Sequence, residues 1–208
     1  MRICLIADTH GKHDELPLPE ADLLIHCGDM CDWGDPRPDP LGEMDDWFNA
    51  APAREVICIA GNHDRLLEHR PLGAAPPFRH ATYLEDSGTT VGGLQIHGAP
   101  WCPNLPGFAF YATSAELADH WRKIPTGVDI LITHTPPFGI LDTPSRSLTH
   151  LGCPILLEEL KRIRPRLHVF GHVHAAYGRK QIGDTLFVNA ASFPTGGHQP
   201  RPPWVVEM

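Results

Sequence analysis

Three features are scarce in this 208-residue chain, and each scarcity removes a class of function. Its longest apolar runs hold a handful of residues, far below the ~20 that a membrane-spanning helix needs, so no membrane partner is expected. Positive charge is not in excess: 17 Lys and Arg face 25 Asp and Glu, a formal net charge of −8. That balance argues against a nucleic-acid polymer held by bulk charge, and any anionic substrate must be attracted locally. Paired-cysteine motifs are also missing. Cys4, Cys27, Cys31, Cys58, Cys102 and Cys153 form no C-x-x-C pair and no zinc-ribbon spacing. Three of them sit inside apolar runs, so they read as reduced thiols packed as small hydrophobes. The segment Met1 to Ala7 is too short for a secretory apolar region and runs straight into Asp8, so a reducing cytoplasmic location is the expectation. With no internal repeat and no linker-like shift in composition, residues 1–208 are expected to form a single domain.

Histidine and proline are abundant instead, at 14 and 22 residues. Proline at about twice average usage predicts stiff, irregular connections, with 34–40 and 193–203 as surface loops. Unalternating apolar runs at 3–7, 23–27, 56–60, 94–97, 130–133, 167–170 and 186–188 predict buried strands of a sheet covered on both faces. Strand-like pairs are expected near 82–98 and 177–190. Between them, Ser114 can cap a helix that presents Leu117, Trp121 and Ile124 on one face and stops at Pro125. Pro154 can start another, with Leu156, Leu157, Leu160 and Ile163 inward and Pro165 as its end. A weaker third spans 44–51. The basic cluster at 161–166 falls where cations complement a helix C-terminus and reads as that. The class is α/β.

Chemistry concentrates where the strands end. The run at 3–7 is followed by Asp8-Thr9-His10, the run at 23–27 by Gly28-Asp29, and the run at 56–60 by Gly61-Asn62-His63-Asp64. His134 follows 130–133, and Gly171-His172-Val173-His174 follows 167–170. In open α/β sheets the carboxyl ends of strands meet at one crevice, so these distant residues are expected to be neighbours. Carboxylate, amide and imidazole donors without thiolate suit Mn, Fe, Zn or Co. An extended chain would put Asp8 and His10, and likewise His172 and His174, on one side each. Asp29 can bridge two cations, and Asn62 adds a neutral oxygen. Two divalent ions less two carboxylates leave a formal charge of +2, enough to hold a phosphate in an acidic protein. A D-x-H alone is weak evidence. A G-N-H-D tetrad arises by chance in roughly one such chain in a thousand or fewer, and G-H-x-H in about one in a hundred.

The ordered set D-x-H, G-D, G-N-H-D, a lone His and G-H-x-H resembles the calcineurin-like metallophosphoesterases over nearly the whole chain. The segments 24–29, 98–101, 133–137, 152–153 and 167–174 are similar to the metallophosphoesterase-domain-containing subgroup, related to class III cyclic-nucleotide phosphodiesterases. The resemblance implies a four-layer sandwich of two mixed β-sheets flanked by helices. It also implies that Asp8, His10, Asp29 and His174 hold one metal, and that Asp29, Asn62, His134 and His172 hold the other. His63, oriented by Asp64, would be the acid beside the leaving group; Asp64 stands where the subgroup often has the longer Glu. Two divalent transition ions, manganese first, would lower the pKa of a shared, bridging water and clamp the phosphoryl oxygens for attack by the resulting hydroxide.

The expected function is therefore a metal-dependent phosphodiesterase acting on a small phosphoester, such as a small or cyclic nucleotide. The alternatives are a phosphomonoesterase, phosphoprotein phosphatase or nuclease of the same superfamily, or a binding module without turnover. Trp101 and Phe108, with Phe110 and Tyr111, could line a wall for a base or could pack as core or lid, and His13 is the remaining candidate for substrate contact. His26, His97 and His168 lie within strand runs and read as core or supporting histidines. His13, His69, His80, His120, His150 and His198 read as surface or loop residues.

Overall fold

The computed structural model describes residues 1–70, 74–144, 149–197 and 199–208, so His198 lies outside the described residues. In chain order the elements are β1 (Arg2–Ile6), β2 (Ala21–Cys27), α1 (Pro40–Ala50), β3 (Ala53–Ile59), α2 (Arg65–Glu68), β4 (Thr82–Tyr83), β5 (Ser87–Val91) and β6 (Leu94–Ala99). They continue with α3 (Ser114–Arg122), β7 (Ile130–Thr133), α4 (Pro154–Ile163), β8 (Leu167–Phe170), β9 (Gly178–Ile182), β10 (Thr185–Asn189) and β11 (Trp204–Glu207).

The strands form two mixed sheets. One has the order β11-β1-β2-β3-β4 and is parallel except for β11; the other has the order β5-β6-β7-β8-β10-β9, with β5 and β9 antiparallel at its edges. Each of the seven apolar runs falls on a strand, and most of their residues are buried between apolar layers. Ile3, Leu5, Leu23, Ile25, Ile57 and Ile59 meet Ile96, Ile130, Ile132, Val169 and Val188 between the sheets. The alternate residues Cys4, Ile6, Leu24 and Cys58 pack outward under Met44 and Phe48 of α1. On the other side Leu131, Phe170 and Phe187 pack under Trp121, Leu156 and Leu160 of α3 and α4. Two sheets between two helical layers make the four-layer α/β sandwich. Truncating a residue such as Leu5, fully buried between the sheets, would cost about 2–5 kcal/mol.

Two helix starts differ from the sequence reading. The 44–51 helix begins at Pro40, because Asp39 accepts from the Gly42 amide (2.9 Å) and Pro40 occupies the first turn, where its missing N–H costs nothing. The cap of α3 is Thr113 rather than Ser114: Thr113 Oγ1 accepts from the Glu116 amide while the Glu116 carboxylate accepts from the Thr113 amide (2.8 Å). The strand β11 had no sequence signal, since a short segment after a proline-rich stretch resembles a loop until β1 offers it an edge. All six cysteines are buried and unpaired.

Candidate metal centre

The carboxyl ends of the two sheets are tied together. Ala7, just past β1, bridges Ala191, just past β10, and the Ser192 amide donates to the Ala7 carbonyl (2.8 Å). On the first sheet the Asp8 amide donates to Gly28 O (2.9 Å) and the His10 amide to Asp29 O (3.0 Å), so the two leading loops run side by side. The side chains are not aimed by extended alternation, as the sequence reading had it. Asp8, His10, Asp29 and His172 all adopt left-handed backbone, with φ of 55°, 45°, 54° and 67°. Such conformations are costly for residues with a Cβ and persist where surrounding contacts over-determine them. Gly28 turns the chain before Asp29 at φ 93°, where an added Cβ would strike the Ala60 carbonyl. A Cβ on Gly171 would strike the Asp8 carboxylate.

Five of the seven candidate ligands fall in two groups that share Asp8. Asp8, His10 and His174 form one, and Asp8, Asp29 and His134 form the other, with donor atoms in each group within 4.8 Å of one another. Asp29 Oδ2 lies 3.8 Å from His10 Nε2 and 3.3 Å from His134 Nε2, between the two. Asn62 Oδ1 is 3.0 Å from His134 Nε2 and 2.9 Å from His172 Nδ1. The other carboxylate oxygens are held by backbone: Asp29 Oδ1 accepts from the His63 amide (2.8 Å), and Asp8 from the His172 amide (3.0 Å).

The donor set fits cations. His134 Nδ1 donates to Cys27 O (2.8 Å) and His174 Nδ1 to Phe193 O (2.8 Å), which turns both Nε2 atoms inward. Inside, His10 Nε2 faces His174 Nε2 at 3.3 Å, and His134 Nε2 faces two acceptor oxygens. Imidazole nitrogens and carboxylate and amide oxygens that converge in this way suit a cation. Burial alone would lower the His134 pKa, but the Asp29 carboxylate raises it to about 9. The same pair holds Asp29 well below the usual carboxylate range despite its burial. His172 has its pKa lowered to about 3, first by burial and then by the charge on His134, so it presents a neutral imidazole.

Asn62 and His63 lie in a turn, closed by Asp64 N donating to Gly61 O (3.2 Å), rather than in extended chain. The turn still separates them: Asn62 joins His134 and His172, whereas His63 faces His10 (ring centroids 4.7 Å). Asp64 does not hold the His63 ring. Its carboxylate accepts from the amides of Met30 (3.2 Å), Cys31 (2.9 Å) and Gly61 (2.8 Å), cross-linking the loops after β2 and β3. Burial and the nearby Asp29 charge keep its pKa above the ordinary range against those three amides. The carboxylate beside the ring is Asp32, 3.4 Å from His63 Nδ1, and the Trp33 amide donates to the same nitrogen (3.2 Å). Asp32 and Trp33 went unnoticed in the sequence because nothing in the spacing after Gly28-Asp29 says where that loop returns.

Each sheet also supports its ligand loop with a buried His–Thr pair. His26 Nε2 lies 3.0 Å from Thr9 Oγ1, between Asp8 and His10, and the Thr9 hydroxyl donates to Met30 O (3.3 Å). His168 Nε2 lies 2.9 Å from Thr133 Oγ1, next to His134, and that hydroxyl donates to Thr135 O (2.7 Å). Since each hydroxyl spends its proton on a carbonyl, each Nε2 must donate. Both Nδ1 atoms are buried without a partner, and burial pushes both pKa values down to about 3.

Around the centre, an open groove of about 300 Å³ is lined by His10, Lys12, His63, His174 and Phe193. A second cavity of about 410 Å³ adjoins it across His63 and Asp32, walled by Cys31, Leu41, Arg65 and Leu66. Phe108, 37% exposed, packs against His63 (5.7 Å) and Trp33 (4.9 Å), and Arg65 lies over Trp33 (4.7 Å). Trp101 does not join this wall. It stacks on His120 (3.7 Å) and its Nε1 donates to Asp86 (2.8 Å), which fastens α3 to the β4–β5 connection. His13 is not a surface residue: it is buried, tilted against Trp47 of α1 (5.2 Å), and belongs to none of the candidate ligand groups among the described residues.

The model of the calcineurin-like phosphoesterase family matches residues 1–176. Metallophosphoesterase domain-containing protein 1 of Homo sapiens and its counterpart in Mus musculus are each 35% identical over 233 residues, covering 100% of this chain and 71% of theirs. Among solved structures, TT1561 of Thermus thermophilus superposes with a TM-score of 0.56 at 14% identity, covering 91% of this chain and 88% of that one, a likeness of fold.

Proposed function

This chain belongs to the calcineurin-like phosphoesterase family, and within that family's metal-dependent phosphoesterase chemistry we propose that it is a phosphodiesterase of small or cyclic nucleotides or similar diesters. The observation that carries the reading is the Asp29 carboxylate between His10 and His134, which gives two half-sites one shared anion. Residues 1–208 act as one domain in a reducing, cytoplasmic setting. Asp8, His10, Asp29 and His174 would hold one divalent ion, and Asp29, Asn62, His134 and His172 the other. Two such ions, when bound, supply Lewis acidity and a formal charge of +2 toward a phosphoryl group. Manganese, iron, zinc and cobalt suit carboxylate and imidazole donors, and manganese is the first choice.

The protein groups do the rest. His63 borders the groove, and its Nδ1 accepts from the Trp33 amide, so the proton for a leaving oxygen sits on Nε2. Asp32 beside the ring stabilises the imidazolium that carries this proton. Trp33 and Phe108 offer aromatic faces to an apolar leaving group such as a nucleoside, while Lys12 can meet an anionic oxygen on the His174 side. The test is hydrolysis of bis-p-nitrophenyl phosphate and of cyclic nucleotides with Mn²⁺, with and without a chelator. Metal-dependent turnover with diesters ahead of the matching monoesters supports the reading. A kcat/KM favouring monoesters or phosphopeptides overturns the diester assignment.

A further inference from the structure

Resting on that metal-centre reading, we propose that Cys102 is an additional ligand of the His134 and His172 half-site, its thiolate binding a thiophilic divalent ion such as Zn²⁺, Co²⁺ or Cd²⁺. Cys102 Sγ, a nitrogen of His134 and a nitrogen of His172 lie within 4.8 Å of one another. With metal–sulfur bonds of about 2.3 Å and metal–nitrogen bonds of about 2.1 Å, ligands of one ion stand at most about 4.4 Å apart, so a small side-chain rotation closes the shell. Among the described residues Cys102 is the one cysteine in any such group, although all six cysteines are buried.

The position is built rather than incidental. Ala99 at the end of β6 pairs with Thr133 of β7, which carries Cys102 alongside His134. The Cys102 amide donates to Phe110 O (2.9 Å), and its carbonyl accepts from the Ala112 amide (3.1 Å), so its backbone is pinned on both sides. The thiol's own hydrogen bond is weak, a 3.6 Å contact to Pro100 O, and breaking it costs little. On loading, the S–H bond breaks, the sulfur–metal bond forms, and the proton leaves to solvent. The thiolate adds one negative charge to this half-site and shifts its preference from the hard Mn²⁺ toward softer ions.

Absorption spectroscopy of the Co²⁺-loaded protein tests this without turnover. The wild type is expected to show a near-ultraviolet sulfur-to-cobalt charge-transfer band together with the visible ligand-field bands. Cys102→Ser and Cys102→Ala should lose the charge-transfer band and keep the ligand-field bands, whereas Cys153→Ala should keep both. Loading the wild type should release more protons than loading Cys102→Ala. Ligand-field bands in the wild type without charge transfer overturn the thiolate and leave the phosphoesterase reading standing. Absence of any cobalt spectrum overturns both. Should the Cys102 variants fail to fold, the presence or absence of the charge-transfer band in the wild type and in Cys153→Ala decides.

Discussion

Acid should weaken this protein through His26 and His168, and the size of the effect follows from their surroundings. Each is buried, donates Nε2–H to a threonine hydroxyl, and leaves Nδ1 without an acceptor. A second proton would therefore place a charged N–H in an apolar layer. The folded pKa of each is lowered from 6.5 to about 3. Between those values the unfolded chain binds more protons than the folded one, so stability is intact above about pH 6.5 and falls as pH drops toward 3. At about pH 5 the gap is roughly 1.5 pH units, or about 2 kcal/mol per histidine and about 4 for both. For a chain of this size these two contributions by themselves correspond to a fall in Tm of roughly 8–16 °C, to which the lowered His172 adds and which the raised Asp64 opposes. His134 opposes this in the metal-free protein: its pKa is raised to about 9, so its contribution is full below about pH 6.5 and is lost as pH rises through 9. The assay is urea unfolding of the metal-free protein at about pH 7.5 and pH 5, comparing the wild type with His168→Gln and His26→Gln. Subtracting the pH effect of each variant from that of the wild type cancels His134, His172 and Asp64 and should leave about 2 kcal/mol. NMR of labelled histidines adds a direct reading, with both rings remaining Nε2–H tautomers to pH 4. Identical pH dependence in wild type and variants, or either ring titrating near 6.5, would refute the reasoning.

Asp29→Ala should weaken both metal sites while His10→Ala weakens chiefly one, read as ions per chain by elemental analysis at saturating Mn²⁺; equal losses from the two variants would count against the bridge. His63→Ala should keep its metal and lower kcat by roughly 10²- to 10⁴-fold on a cyclic nucleotide, whose alkoxide needs a proton. The same variant should lose far less on a p-nitrophenyl ester, and an equal defect on both with lost metal would make His63 a ligand. Asp64→Asn should act on stability before chemistry, costing ~1–3 kcal/mol for each loop amide it leaves unsatisfied. Asp32→Asn should instead leave Tm nearly unchanged and lower kcat more on a cyclic nucleotide than on a p-nitrophenyl ester; the reverse pattern would restore Asp64 as the partner of His63.

The sandwich was legible because its strands are buried on both faces, so apolar runs such as Ile130–Thr133 mark themselves without needing a period. The candidate ligands were legible because each closely follows such a run. The sequence did not reveal what happens between those points. Extended alternation seemed sufficient to align Asp8 with His10, yet both residues are left-handed, and the chain is already paired with Ala191 at Ala7. The family resemblance implied that Asp64 orients His63. In the folded chain the carboxylate points back to three amides, and a carboxylate from another loop takes that place. Trp101 and Phe108 looked equivalent as aromatics of one loop region, and only long-range partners, Asp86 with His120 for one and Trp33 with His63 for the other, separate them.

The strained loops and the buried histidines have a common cause. A dinuclear site needs acceptors and lone pairs aimed at one another, an arrangement that repels itself when no cation is present. In this chain the repulsion is contained by groups outside the cluster. The amides of His63 and His172 hold one side of Asp29 and of Asp8, and two backbone carbonyls fix the tautomers of His134 and His174. The His26–Thr9 and His168–Thr133 pairs brace one loop on each sheet. These restraints are backbone and core contacts, so folding itself brings the donors together. Binding energy from an ion can then go to the ion instead of to ordering the loops, and the left-handed residues are the conformational cost of that preorganisation.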